Sequence, residues 1–336
     1  MSSKRRRVEG LPAPLAKFAE AARAVGRVTP RRLPSPANLY RKKGFPYTKS
    51  MVPRGVTRRA DEPSTGADYD TDWARRPTAR AARGAILEGL VRPAVNRLAR
   101  PEVDGLDRLA ALDDDDPVIF VANHHSHIDT PLMLSVIPAP RRYKVAVGAA
   151  ADYFFTSRRA SAFFALTLGA FPIERTKVGR KSAHLAESLL HQGYSLILFP
   201  EGGRSPDGWG QPFRGGAAFL AARSGAAVIP VHIDGTSKIL GKGNKFPKPG
   251  RTRVTFGSPI IPAADDDARS LGPRIERAVA VLADEAITDW WSARKRAASG
   301  DTPPLTGPKA VSGWRRQWAL GDTTTRRSQK RQWPKV

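Results

Sequence analysis

The chain has 336 residues, 56 Lys or Arg against 31 Asp or Glu, a formal charge of +25, 40% apolar residues and no cysteine. That length and apolar content suffice for one large domain with a substantial core. The lack of cysteine excludes a disulfide framework, a thiolate nucleophile and a thiolate metal site, which leaves chemistry to His, Asp, Glu, Arg, Ser or Lys.

The positive charge is unevenly spread. Residues 1–100 carry a net +15 and residues 292–336 a net +9, so the stretch between them is near neutral at +1. Residues 1–83 are rich in Arg, Pro, Ser and Thr and are expected to form a basic, mostly disordered tail. Met1 to Arg7 is basic, but the apolar core of a secretory signal does not follow it. Leu15 to Val28 has the spacing of a weak amphipathic helix that could lie on a membrane, and Ile86 to Leu98 is a second, more apolar candidate leading into the core.

Residues 84–292 are expected to form the folded domain. From Pro117, short apolar runs alternate with helical stretches: Val118 to Ala122 then Pro131 to Val136, Tyr194 to Phe199 after Ser182 to Leu190, Ala227 to Val231 after Gly216 to Ser224, then Arg253 to Phe256 and a closing helix over Arg274 to Ile287. This alternation predicts an α/β sheet covered on both faces. The longest apolar stretch, Ala160 to Ile173, has 14 residues, short of the roughly 20 that span a bilayer as a helix. Residues 293–336 read as a basic, Trp-containing tail, with Trp314, Trp318 and Trp333 following Trp290 and Trp291. Such a tail can dock on an anionic membrane and is expected to be removable, from residue 297 on, without loss of activity on dispersed substrate.

The segment Asn123 to Asp129 directly follows an apolar strand, and in open α/β sheets ligands gather beyond the carboxyl ends of strands. His124 and Asp129, five residues apart, would lie about 140° apart on an ideal helix and could not pair there. They can pair in a loop. Thr130 and Pro131 read as N-cap and first helical position, leaving 123–129 as that loop. Asp129 could then accept one imidazole N–H, so that the other nitrogen takes a proton from a hydroxyl. Two other readings stay open on these residues. Ser126 and Asp129 match a capping box, and His125, His127 and Asp129 resemble the start of a metallo-β-lactamase metal pattern, although Thr130 stands where a further His belongs.

Past the next strand, Glu201, Gly202, Gly203, Arg204 and Ser205 combine adjacent glycines, whose N–H groups can approach an anion, with an Arg able to grip a phosphate. A Gly-Gly turn is the plainer reading of that pair. Arg175 follows another apolar run. Pro230, inside the run Val228 to Ile233, predicts an edge strand or a bulge, and His232 beside it reads as structural.

Taken in order, these segments resemble the four sequence blocks of the glycerolipid acyltransferase family, which includes lysophosphatidate acyltransferase. Asn123, His124, Ser126 and Asp129 match the first block and Arg175 the second. Phe199 to Ser205 match the third, with Gly203 where Thr is usual, and Pro230 the fourth. The resemblance covers residues 84–292 and implies a mixed, largely parallel sheet flanked by helices. It further implies His124 as general base oriented by Asp129, with Arg175, Glu201, Gly202 and Arg204 binding or ordering the acceptor's phosphate. Asn123, Ser126, Gly203, Ser205 and Pro230 would support these motifs. The acyl group would come from acyl-CoA or acyl carrier protein, the acceptor would be a lysophospholipid such as 1-acyl-sn-glycerol-3-phosphate, and the product phosphatidate. No cofactor or metal is implied. The expected location is peripheral, at the cytoplasmic face of the plasma membrane. Nucleic acid is not an expected partner, because the charge lies outside the motif-bearing core.

Overall fold

The computed structural model describes residues 65–307 apart from 114, 175–179, 206–208 and 242–245. The Leu15 to Val28 segment, Arg175, and Trp314, Trp318 and Trp333 lie outside the described residues.

In chain order the described helices are α1 (Pro77–Ile86), α2 (Arg92–Ala99), α3 (Asp129–Val136), α4 (Ala151–Phe154), α5 (Arg158–Leu168), α6 (Arg180–His191), α7 (Gly216–Ser224), α8 (Thr236–Leu240), α9 (Ala268–Ile287) and α10 (Trp290–Ser299). The strands are β1 (Pro101–Asp104), β2 (Ile119–Ala122), β3 (Val145–Ala150), β4 (Ala170–Ile173), β5 (Ser195–Leu198), β6 (Val228–Asp234) and β7 (Thr252–Phe256). They form one sheet in the order β1-β7-β6-β2-β5-β3-β4. Every neighbouring pair is parallel except β6 and β7, so the sheet is mixed and largely parallel.

Successive side chains of a strand point to opposite faces, and β2 is buried on both. Phe120 and Ala122 join Leu132, Met133, Val147 and Ile229 in one core, while Ile119 and Val121 join Leu189, Leu196, Leu220 and Ile275 in the other. A sheet covered on both faces has strands that are continuously apolar, and this is why β2, β5 and the first part of β6 are recognisable as short apolar runs. Each fully buried side chain of this kind stabilises the domain by about 1.5–3 kcal/mol relative to an exposed one.

Several expectations need revision. The boundary at residue 83 falls inside α1, and the folded unit reaches back past it because Arg83 is buried. Its guanidinium donates to the carbonyls of Leu166 and Ala74, so a residue type that looks solvated ties an Arg- and Pro-rich segment to the core. The boundary at 292 falls inside α10, which Arg296 clamps to α9 through two 2.7 Å bonds to Asp284. Ile86 to Leu98 belongs to the helical stretch that packs Leu87 and Val95 on the core, leaving Leu90 exposed. The apolar stretch 160–173 is α5, a left-handed Gly169 cap and then β4. The closing helix starts at Ala268, under a capping box formed by Asp267 and Ser270, and continues through Pro273. Among the described residues no helix is long and apolar enough to cross a membrane.

Pro230 lies on an interior strand, not at an edge. Its missing N–H would point towards β7 in a gap of the ladder, between the Val228–Ile260 bridge and the first β6–β7 pair, Val231 with Phe256. Its carbonyl still accepts from the Gly257 N–H at 2.8 Å. A β-carbon on Gly257 would stand 2.7 Å from Pro230 Cγ, so the glycine makes room for the ring.

Candidate active site

The site forms where β2, β5 and β6, neighbours in the sheet, reach their carboxyl ends. At the end of β2, Asn123 donates from Nδ2 to the Ile233 carbonyl (2.8 Å) and accepts the Ile233 N–H at Oδ1 (2.7 Å). This side-chain bridge fixes where the chain leaves the sheet. The next residue is His124.

His124 Nδ1 lies 2.8 Å from Asp129 Oδ2. The same oxygen accepts the backbone N–H groups of His125 and Ser126, each at 2.8 Å. The helical backbone starts at Asp129, one residue before the Thr130 cap that the sequence suggests. Ser126 Oγ accepts from Ile128 N and donates to Leu240 O at 2.6 Å. Asp129 therefore does both things its spacing allowed: it closes a capping-type loop and holds the imidazole. Burial alone would raise its pKa, but the bonds from His124 and the Ser126 N–H outweigh that and hold it below the usual carboxylate value. The Asp129 side chain is fully buried, whereas that of His124 is 16% exposed. His124 stacks on Phe199 with ring centroids 4.3 Å apart. With Nδ1–H donated to Asp129, Nε2 is the nitrogen left to accept a proton.

The third block grips the first. Glu201 is buried. One carboxylate oxygen accepts the His124 N–H at 2.8 Å and the other the Gln211 N–H at 2.9 Å, while Ser205 N donates to the His124 carbonyl at 2.9 Å. Glu201 and Ser205 thus hold the backbone of His124 from both sides. The Gly202 N–H closes a turn on the Phe199 carbonyl, which is the plainer reading of the glycine pair. Gly202 has φ +70, and a β-carbon there would stand 2.8 Å from Arg214 Nε. The sequence reading missed Arg214, whose guanidinium covers this turn; its one signal was a basic residue between Phe213 and a second glycine pair. The Gly203 and Arg204 carbonyls accept from Gln211 Nε2 at 3.3 and 3.2 Å.

His127 stacks on Tyr153, with Nε2 3.2 Å from the phenol oxygen. Burial, and then the positive charge of Arg204, lower its pKa to about 4, so it is neutral at physiological pH. Among the described residues no three His, Asp or Glu side chains gather as a metal site.

His232 is buried on β6 with no partner for Nδ1, and desolvation lowers its pKa from 6.5 to about 4. Between those values the unfolded chain binds a proton that the folded one does not, so His232 costs stability as pH falls through that window. The melting temperature is expected to drop from pH 7 to 4.5, and to drop less in His232→Leu. Equal acid sensitivity of the two proteins in pH-dependent melts would count against this.

Residues 100–234 match the family described as Acyltransferase. The chain is 29% identical over 178 residues to the chloroplastic 1-acyl-sn-glycerol-3-phosphate acyltransferase BAT2 of Brassica napus, a match covering 50% of this chain and 47% of that protein. It is 30% identical over 169 residues to LPAT1 of Arabidopsis thaliana, covering 47% and 43%, and 26% identical over 184 residues to acyltransferase alpha of Mus musculus, covering 52% and 61%; both carry the same enzyme name. The chain spans about half the length of the curated relatives it matches. Its fold is similar to the crystal structure of the 1-acyl-sn-glycerophosphate acyltransferase PlsC from Thermotoga maritima, with a TM-score of 0.51 and 24% identity, covering 65% of this chain and 86% of that one.

Proposed function

We propose, from the match of residues 100–234 to the Acyltransferase family and the similarity to 1-acyl-sn-glycerol-3-phosphate acyltransferases, that the chain is a glycerolipid acyltransferase that transfers a fatty acyl group from a thioester, acyl-CoA or acyl carrier protein, to the free hydroxyl of 1-acyl-sn-glycerol-3-phosphate, giving phosphatidate. The observation that carries this reading is the 2.8 Å His124–Asp129 pair at the end of β2, anchored on a buried carboxylate. His124 Nε2 takes the proton from the acceptor hydroxyl as its oxygen attacks the thioester carbonyl. The C–S bond then breaks, and the leaving sulfur takes that proton back. Asp129 holds the ring and stabilises its transient positive charge. No acyl-enzyme is needed, in keeping with a chain that has no cysteine. Arg204, and by resemblance Arg175, bind the acceptor's phosphate.

The test is incubation with labelled acyl-CoA and acyl carrier protein against a panel of acceptors. Lysophosphatidate should lead, ahead of glycerol 3-phosphate and lysophospholipids with larger headgroups. A uniform lack of transfer would reject the reading. Gly203, where the family has Thr, is the departure that favours the second reading, a related acceptor, and the same panel ranks it.

We also propose peripheral docking at the cytoplasmic face of the membrane. Trp290 and Trp291 on α10 are 52% and 70% exposed, and Arg294 lies over the Trp290 ring. Tryptophan favours the membrane interface, and each basic residue near an anionic bilayer contributes about 1 kcal/mol. Removing residues 308–336 is expected to weaken co-sedimentation with anionic vesicles, while activity on detergent-dispersed acceptor persists. Salt should weaken docking of the intact chain. Vesicle binding that survives the truncation unchanged would take these residues out of the docking mechanism.

A further inference from the structure

The segment that follows α10 does not lead away from the domain. Gly300, in the left-handed conformation, ends the helix, and Asp301 N donates back to the Arg296 carbonyl at 2.9 Å. Two contacts to α9 fix the helix end, the Arg296–Asp284 pair and a 2.7 Å bond from Arg277 to the Ala297 carbonyl. The chain is thereby aimed at the loop of the third block. There the Gly210 N–H donates to the Leu305 carbonyl at 2.9 Å. A β-carbon on Gly210 would stand 3.1 Å from Leu305 Cβ.

At Gly307 the fit is closer still. The residue is buried with φ +74, and a β-carbon there would stand 2.6–3.0 Å from three indole carbons of Trp209. Only glycine satisfies both the backbone angle and the ring lying against it. Trp209 and Gln211, which flank the anchored Gly210, connect directly to the chemistry. Trp209 O accepts from Ser205 Oγ at 2.5 Å, Ser205 N bonds to the His124 carbonyl, and Gln211 bonds to Glu201 and to the Gly203 and Arg204 carbonyls.

We propose that residues 301–307 act as a strap that positions the acceptor-binding loop, with Leu305 and Gly307 as positioning residues for Arg204. This rests on the functional reading above for the identity of the acceptor. The loop is fastened on its inner side by His124 and Glu201 and on its outer side by the strap, so Arg204 is placed between two fixed points. Removing the outer one leaves the inner bonds to the His124 backbone in place and lets the phosphate-binding group drift. On this proposal a cut at residue 297 removes the strap together with the tail, so activity on dispersed substrate is expected to survive a cut after residue 307 but not one at 297.

Gly307→Val forces a side chain into the indole, and Trp209→Ala removes the ring without any clash. Both are expected to raise the apparent KM for lysophosphatidate about tenfold or more, approaching Arg204→Ala, because a charge-assisted contact is lost. The KM for the acyl donor should be unchanged and kcat should fall much less. Hydrogen–deuterium exchange of the amides in 201–205 and 209–211 should speed up in both variants, while the β2 and β5 amides keep their protection. Exchange reports on the strap even if the wild type transfers no acyl group to any phosphorylated acceptor, so failure of the functional reading is seen separately. Unchanged exchange in both variants overturns the strap. So does a Trp209→Ala enzyme whose KM values and kcat all stay at wild-type levels, or all deteriorate together with a general loss of protection.

Discussion

His124→Ala is expected to lower acyl transfer by about 10²- to 10⁴-fold, the range for losing a general base, while the protein keeps its melting temperature within a few degrees. The two halves of that expectation come from different atoms. The imidazole supplies Nε2 to the reaction, whereas the contacts that hold the loop, Glu201 to His124 N and Ser205 N to His124 O, are to the backbone and survive the substitution. Asp129 is different, because its Oδ2 accepts three bonds. Asp129→Ala would strand two backbone N–H groups and confuse catalysis with folding. Asp129→Asn keeps an oxygen for those donors and removes the charge that stabilises the imidazolium, so its rate should fall strongly with little unfolding. Steady-state rates at saturating donor and acceptor, beside thermal melts, check both. A folded His124→Ala enzyme with near-normal turnover would remove this residue from the chemistry.

What the sequence made legible follows from burial. β2, β5 and the first part of β6 lie between two helical layers, so their apolar runs stand out and were read to within a residue or two. β3 and β4 were not read as strands. β3 is Val-Ala-Val-Gly-Ala-Ala, with little of the bulk that marks a strand. β4 shares one unbroken apolar run with α5, and its boundary is a single left-handed glycine, Gly169. β1, at the sheet edge, is half polar. In the site, the His124–Asp129 pair was legible because a loop was the one geometry in which that spacing could close. The mutual grip of the two blocks was not, since Ser205 N and His124 O are backbone atoms that no side-chain pattern announces. The strap was hidden for the same reason: a glycine in a Pro-containing basic stretch reads as a linker until the indole it supports is seen.

Glu201 shows how placement redirects a role. Its charge and its neighbours suggested a part in ordering the acceptor's phosphate, yet a carboxylate repels a phosphate, and both of its oxygens accept backbone N–H groups, from His124 and Gln211. Glu201→Gln is therefore expected to act through the scaffold. A carboxamide has one oxygen for two donors, so one buried N–H meets an NH₂ group and loses its partner, at a cost of about 1–3 kcal/mol. For a domain of this size that corresponds to a fall in melting temperature of roughly 3–10 °C. The rate should suffer as well, because the displaced group is the backbone of the general base, and a shift of about 1 Å in a reacting group can cost 10²-fold. The loss should appear in kcat with either thioester donor, with the acceptor KM changed much less than in Arg204→Ala. Melts and full kinetics of the two variants, run side by side, separate the alternatives: an unchanged melting temperature with a selectively raised acceptor KM in Glu201→Gln would return this carboxylate to the acceptor's binding site.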